Sequence, residues 1–209
     1  MELIQKLASA LGRRDEEPNI HLAHQLALAK DKKSIQTLVN FLNTKPKAIQ
    51  NDCVKVLYEI GVLHPELIQP HLETFVRLLQ SKNNRLVWGA MTAIATISKI
   101  DKKGVSIFLG EIMKAADKGS VITKDSTVNV LIQLCNGPDS AALSLPLLKE
   151  MISHAPVNQL PMYAEKALAV MRVQDRSDFM HILEKRAEEE MKESKRKRVQ
   201  KVLELIKEA

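Results

Sequence analysis

Apolar residues recur along most of the chain at i, i+3, i+4 and i+7, the spacing that places them on one face of an α-helix. No stretch alternates apolar and polar residues for long enough to predict a strand. Turn-forming segments interrupt the helical pattern at regular intervals, namely TKP at 44–46, HP at 64–65, SKNN at 81–84, DKGS at 117–120, NGP at 136–138 and PVNQLP at 156–161. The pattern predicts short amphipathic helices joined by tight turns.

A repeat underlies this pattern, because residues of the same type return every 37 positions. In each copy an anchor residue is followed four and seven positions later by two further apolar anchors. The four sets are Cys53, Leu57 and Ile60; Ala90, Ile94 and Ile97; Thr127, Leu131 and Leu134; and Ala164, Leu168 and Met171. Val56, Ala93, Val130 and Ala167 keep the same register. We predict that all of these residues form the core.

Each anchor-bearing helix is preceded by another helical segment, at 34–43, 66–80, 103–116 and 141–153. Neither helix of such a pair can bury its apolar face alone, so the hairpins must stack. The predicted fold is all-α, a solenoid of about five to six helical hairpins. A single domain, 1–209, is expected, with repeats at 31–64, 65–100, 101–137 and 138–174 between capping hairpins at 1–30 (helices 2–11 and 19–30) and 175–209 (helices 178–192 and 195–208).

The segment 66–100 resembles the consensus of HEAT repeats, which belong to the armadillo-like helical folds. It has an early Pro70, the pair Leu78–Leu79, a polar turn at 82–84, and then Val87, Gly89, Ala90, Ala93 and Ile97; SLPLLKEMI at 144–152 carries the same early proline. The resemblance implies a right-handed superhelix whose second helices line the concave side. It implies no particular task, because HEAT arrays serve many. The consensus arginine after the valine is absent, and Asn51, Trp88, Asp125 and Met162 occupy its place.

At 100° per residue, positions 88, 92, 95 and 99 point away from the core anchors of their helix. The equivalent positions of the four repeats define a predicted stripe, whose candidate partner-binding residues are Lys55, Tyr58, Trp88, Thr92, Lys99, Asn129, Ile132, Met162 and Lys166. The same rows also contain Asn51, Val62, Ala95, Asp125, Asn136, Ala169 and Val173. Aromatic residues and methionine among lysines indicate a groove for a peptide or an acidic motif. The alternative is that these large side chains pack between neighbouring repeats.

Composition supports helix, since aromatic residues make up only 3% of the 209 residues. The net charge of +6 permits an acidic partner, including nucleic acid. The densest basic cluster is Lys195, Arg196, Lys197, Arg198 and Lys201. We interpret it as a solvated helical cap and, in the alternative, as a phosphate-binding patch. Two lysine groups, at 30, 32 and 33 and at 99, 102 and 103, are explained by the preference of helix C-termini for cations.

The sequence offers no catalytic constellation. Cys53 occupies a core anchor and Cys135 has no neighbouring histidine, while His21 and His24 lack a third ligand for a metal site. Phosphate-binding, nucleophile-elbow and zinc-protease motifs are absent, as are the His-Glu pairs of deoxyhypusine hydroxylases. We therefore predict no enzyme activity, no cofactor and no metal.

The predicted function is a non-catalytic protein-interaction scaffold or regulatory binding module whose partner is another protein or a peptide. The alternative is a nucleic-acid-binding module, in its specific form a DNA glycosylase-like repeat protein. That form would stack an extruded base on several aromatics, and this chain has one Trp. The N-terminal residues do not resemble a signal peptide, and no apolar run is long enough to span a membrane. We expect a cytoplasmic monomer without a membrane partner.

Overall fold

The computed structural model of the protein describes residues 3–43 and 46–208, which form helices and turns without a strand. The predicted turn at 44–46 lies, apart from Pro46, outside the described residues. The α-helices in the described ranges are α1 Glu17–Ala29, α2 Lys32–Phe41, α3 Lys47–Leu63, α4 Leu72–Leu78, α5 Asn84–Ile97, α6 Lys102–Ser106, α7 Leu109–Lys118, α8 Val121–Cys135, α9 Ala141–Ser153, α10 Leu160–Leu168, α11 Val173–Ala187 and α12 Glu193–Glu208. The predicted all-α helical-repeat fold is confirmed.

The helices follow the predicted order of first and second helices. In the hairpins, α2 precedes α3, α4 precedes α5, α9 precedes α10 and α11 precedes α12, whereas two short helices, α6 and α7, precede α8. The second helices α3, α5 and α8 begin at Lys47, Asn84 and Val121, which are 37 residues apart. The sequence period is therefore also the period of the helices in these three repeats.

The core lies where the repeat predicts it. The twelve anchor positions are buried except for Leu168, which is half-buried. Val56, Ala93, Val130 and Ala167, which share one register, are all 0% exposed. Buried apolar area of this kind is the main favourable contribution to folding.

The chain forms two compact units, and their boundary falls between Val130 and Leu131, inside α8. In the N-terminal unit, α3 packs against both α1 and α5, while α2 and α4 cover α3 and α5 respectively. In the C-terminal unit, α10 and α11 pack against α12, and α9 contacts α10 and α11. The repeat boundaries given above remain a prediction.

Two glycines allow α3 and α5 to approach closely. A Cβ at Gly89 would lie 2.8 Å from a methyl group of Val54, and a Cβ at Gly61 would overlap the side chains of Thr96 and Ile68. The two helices run in the same direction, because Asn51 near the start of α3 accepts a 2.8 Å hydrogen bond from Asn83, the N-cap of α5. A larger residue at either glycine would force the helices apart.

The predicted helix at 2–11 is wrong over the described residues. Only Ile4–Lys6 forms a 3-10 turn, and the backbone is extended at Leu7. The amide of Ala8 then donates to Asn19 Oδ1 at 3.0 Å, and the amide of Ser9 donates to Asp52 Oδ2 at 2.8 Å. These two bonds to buried side chains replace the helical hydrogen bonds, so the N-terminal cap is a segment pinned to α1 and α3.

The predicted first helix at 66–80 is shorter in the structure. Pro65–Leu67 and Gln69–His71 form 3-10 turns, and α4 begins only at Leu72. Pro70 has no amide hydrogen to donate to a helical ladder, which accounts for the delayed start.

A buried arginine completes the C-terminal unit. The guanidinium of Arg186 in α11 donates to the carbonyl oxygens of Ile152, Ser153 and Ala155 at 3.2, 2.6 and 2.6 Å. These carbonyls lie at the end of α9 and just after it, where the helical hydrogen bonds run out, and that of Ile152 also accepts from the amide of Ala155 at 3.2 Å. Arg186 also pairs with Glu189 at 2.7 Å, so its buried charge is compensated.

We expect Asp52→Ala to lower the free energy of unfolding by about 2 kcal/mol, because the buried Asn19 side chain and the Ser9 amide would lose a charged acceptor. Urea denaturation followed by circular dichroism would measure the change. Asp117→Ala, an exposed carboxylate on α7, is the matched control and should change stability by no more than about 0.5 kcal/mol. Equal effects of the two variants would contradict a structural role for the Asp52 network.

Candidate partner-binding face

Exposure along α5 follows the predicted stripe. Trp88, Thr92 and Ala95 are half-buried, whereas the residues between them are buried. Lys99 is exposed but lies in the turn after α5, which ends at Ile97. The second helix of the second repeat therefore presents one row of partly accessible side chains.

In the middle of α3, the residues of the predicted stripe are not accessible. Lys55 and Tyr58 belong to the predicted stripe, but they are only 9% and 8% exposed. The residue just before α1, Glu16, approaches from one side, and Trp88 of α5 approaches from the other. Both positions do point away from the core anchors, but neighbouring elements cover them.

Lys55 is held by two carboxylates. Its Nζ lies 2.7 Å from Glu59 Oε1 and 3.1 Å from Glu16 Oε2, and 4.9 Å above the ring centroid of Tyr58. Burial alone would lower the pKa of Lys55, but hydrogen bonds to Glu59, Tyr58 and Glu16 raise it above its usual range. Arg85 lies 3.7 Å from Glu16, so two cations meet two carboxylates and the cluster is formally neutral.

Tyr58 supports Trp88 from behind. Their ring centroids are 6.0 Å apart with planes inclined at 53°, a tilted arrangement within the favourable range for aromatic pairs. Burial raises the pKa of Tyr58, and this outweighs the opposing effect of Lys55. Tyr58 thus packs between repeats, whereas Trp88 packs with one part of its ring and exposes another.

Polar side chains continue the row beyond Trp88. Thr92 Oγ1 donates to the carbonyl of Trp88 at 2.9 Å and lies 3.3 Å from the hydroxyl of Ser126 on α8. Asn129 is half-buried and lies one turn further along α8 than Ser126. The N-terminal unit therefore places an aromatic and several uncharged polar groups on the same row of helices.

The C-terminal unit holds the remaining stripe residues. Ile132 and Met162 are half-buried and Lys166 is exposed. Ala169 and Val173 do not continue this row, because α10 ends at Leu168 and Val173 is the first residue of α11. The fourth row of the predicted stripe is thus wrong beyond Lys166, because the helical geometry on which the row was based ends with α10.

Sequence reasoning missed Glu16, Glu59 and Arg85, which form the electrostatic surroundings of the stripe. Glu59 could have been found, because it follows Lys55 by four positions on one helix. Glu16 and Arg85 come from other elements, and only the packing of α1, α3 and α5 brings them to Lys55.

The basic cluster of the alternative prediction makes contacts within the chain. Arg198 forms a two-point hydrogen bond to Glu165 at 2.7 and 2.5 Å, and this contact lowers the pKa of Glu165. Arg196 donates to the carbonyls of residues 187 and 189, and Lys195 contacts Asn158. Lys197 lies 3.9 Å from Glu193, and the positive charge of Lys201 also lowers the pKa of Glu165. The cluster therefore joins α10, α11 and α12, and nothing in its geometry favours nucleic acid.

Other reactive groups are dispersed. His21 and His24 are both exposed, and in the described ranges no three His, Cys, Asp or Glu side chains gather as metal ligands would. Within the same ranges, no helix is both long enough and apolar enough to cross a bilayer. Burial raises the pKa of Cys53 to about 12 and that of Cys135 to about 11.

We expect both thiols to be inert in the native state, because a raised pKa leaves almost no thiolate at pH 8 and burial blocks access. A colorimetric disulfide reagent should titrate two thiols only after denaturation. Reaction of either thiol in the native protein at the rate of free cysteine would contradict this assignment.

We expect Tyr58→Ala to lower the free energy of unfolding by about 3 kcal/mol, as removal of a buried aromatic usually does, and to shift Trp88 emission to longer wavelength. Tyr58→Phe keeps the ring against Trp88 and is the matched control, with a cost below about 1.5 kcal/mol. Unchanged Trp88 emission in Tyr58→Ala would show that the tyrosine does not support the indole.

No protein-family model matches the chain, and no curated protein matches it in sequence. Solved structures do match. A designed armadillo repeat protein in complex with the peptide (KR)4 has a TM-score of 0.65 at 18% identity over 98% of both chains. Computationally designed armadillo repeat proteins for modular peptide recognition reach 0.60 at 18% identity over 97% of this chain and 98% of theirs. An engineered protein from a structural genomics consortium reaches 0.60 at 19% identity over 99% and 96%. At these identities the likeness concerns the fold alone, and the chain has the fold of armadillo-like helical-repeat proteins.

Proposed function

We propose that the chain is a non-catalytic protein-interaction module that binds an extended segment of a partner protein on the second helices of its hairpins. One observation carries the proposal. Trp88 is half-buried on the open row of α5, and the buried Tyr58 ring holds it from behind. Rigid, partly accessible tryptophans are the commonest energetic anchors of protein interfaces.

The fold supports this proposal. A designed armadillo repeat protein of similar fold is described in complex with the peptide (KR)4, so a fold of this kind can bind a peptide. Such rows present side chains at regular spacing, which suits the regular spacing of residues in an extended peptide.

The electrostatics of the site favour an apolar anchor over a charged one. The charge of Lys55 is balanced by Glu16 and Glu59, so this lysine offers little attraction to an acidic motif. We assign Lys55 and Tyr58 to support of Trp88. In the N-terminal unit, the residues that we propose to contact the partner directly are Trp88, Thr92, Lys99 and Asn129. In the C-terminal unit, the candidates are Ile132, Met162 and Lys166.

Trp88 is the single tryptophan of the chain, and its fluorescence therefore reports directly on this site. Peptides selected on the full chain from a random displayed library should shift Trp88 emission to shorter wavelength. We expect Trp88→Ala to weaken their binding about 30-fold, as loss of an interface anchor worth about 2 kcal/mol requires. Isothermal titration calorimetry would measure the change.

Ile107→Ala removes an apolar side chain that is 73% exposed and lies outside the stripe, and it is the control. Trp88→Phe, which keeps a ring against Tyr58, separates loss of binding from loss of folding. If Trp88→Ala binds the selected peptides as tightly as the parent chain and peptide binding leaves the emission of Trp88 unchanged, the indole serves packing alone and the proposal fails.

A further inference from the structure

The N-terminal unit has one edge at which α1, α3 and α5 all end, at Ala29, Leu63 and Ile97. The turns that follow these helices lie side by side. Gln69 after α3 donates a 2.8 Å hydrogen bond to Asp101 after α5. α1 packs against α3, and Asn19 near the start of α1 donates to Asp52 in the first half of α3, so the two helices run in the same direction and end at the same edge.

Exposed aliphatic side chains lie in the last turns of α1 and α3 and in the turn after α5. Their exposed fractions are 87% for Leu28, 54% for Val62, 40% for Leu63 and 52% for Ile100. Single exposed aliphatic residues are ordinary on a protein surface, but four on adjacent helix ends make a common apolar strip.

Six lysines lie in the same turns or in the first turn of the helix that follows. Within residues 3–43 and 46–208 none of them forms an ion pair, and together with the strip they define the lysine–aliphatic edge: Lys30, Lys32, Lys33, Lys99, Lys102 and Lys103. Helix C-termini explain Lys30 and Lys99, but the other four lysines lie in the first turns of α2 and α6, where the helix dipole disfavours cations.

The acids at this edge are engaged within the chain. Asp31 caps α2 by accepting from the Ser34 amide at 3.0 Å, Asp101 caps α6 by accepting from the Gly104 amide at 2.8 Å, and Glu66 lies 2.9 Å from His64. The edge therefore has six lysines and three carboxylates, and each of these carboxylates already has a partner within the chain. The edge carries excess positive charge.

The shape of the edge favours a soft, negatively charged partner. Its aliphatic side chains protrude at helix ends and do not line a groove. A groove of about 610 Å³ in the same unit lies elsewhere, and residues near the starts of α5 and α8, such as Ser81 and Ser120, are among those that line it. A folded partner would need matching sockets for protruding side chains, whereas the boundary between lipid headgroups and acyl chains deforms around them. Lysines beside inserted aliphatic residues are attracted to the negative charge of anionic headgroups.

We propose that the lysine–aliphatic edge binds the surface of membranes that contain anionic phospholipids. No membrane-crossing helix is needed for such contact, so the expectation of no membrane partner, which rested on the lack of an apolar span, does not apply to it. The edge is separate from Trp88, and this proposal is independent of the proposed peptide site.

Sedimentation with lipid vesicles tests the proposal, using the full chain at about 0.1 M salt. Vesicles of phosphatidylcholine with about 30% phosphatidylserine should bind the protein, and vesicles of phosphatidylcholine alone should not. Lys33→Gln/Lys99→Gln/Lys103→Gln should weaken binding at least tenfold. Leu28→Ser/Ile100→Ser should weaken it severalfold without any change in net charge.

Matched controls lie in the C-terminal unit. Lys195→Gln/Lys197→Gln/Lys201→Gln removes the same charge, and Leu143→Ser/Val173→Ser alters side chains that are 62% and 76% exposed. Both controls should bind the anionic vesicles like the parent chain.

Three results would overturn the proposal. The first is absence of binding to anionic vesicles. The second is an equal loss in the two lysine variants, which would mean attraction by net charge alone. The third is unchanged binding of Leu28→Ser/Ile100→Ser to the anionic vesicles. If soluble polyglutamate or nucleic acid then also competes fully with the vesicles, the partner is an acidic macromolecule and not a lipid surface.

Discussion

The N-terminal unit depends on the burial of α3 between α1 and α5. Cys53, Leu57 and Ile60 fill the core on one side of this helix, and the residues opposite them are covered as well. The close approach requires Gly61 and Gly89, because any side chain there would overlap Thr96 or Val54. From residue 52 to residue 58 this helix is buried on every side, so the polar residues in that segment must find partners within the protein.

That requirement explains the electrostatic arrangement around α3. Lys55 is paired with Glu16 and Glu59, and Asp52 accepts from Asn19 and from the backbone of the N-terminal segment. The C-terminal unit follows the same rule, since the buried guanidinium of Arg186 satisfies carbonyls at the end of α9. In both units, buried charged groups therefore connect separate elements, α1 with α3 and α9 with α11.

The same packing separates the accessible surface of the N-terminal unit into regions of different character. Along the row of second helices, the neutral ion-pair cluster supports a tryptophan and uncharged polar groups, which suits recognition of side chains. At the helix ends lie exposed aliphatic residues and lysines that form no ion pair within residues 3–43 and 46–208, and this is the surface that we propose for an anionic membrane. A module with both regions could hold a protein segment while resting on a lipid surface, and each region can be tested without altering the other.

The sequence by itself determined the repeat. Anchors such as Ala90, Ile94 and Ile97 recur every 37 residues because each hairpin must bury the same helix face, and local spacing is enough to identify that face. It also determined the row on α5, where the helical wheel gives the correct exposure. Tertiary structure alone decided the burial of Lys55 and Tyr58, because a wheel shows which way a side chain points and not what lies against it. It also decided that the N-terminal segment bonds to Asn19 and Asp52 instead of forming a helix, and that lysines from distant parts of the sequence share one edge. These features depend on contacts between elements, and the periodicity of one element carries no information about its neighbours.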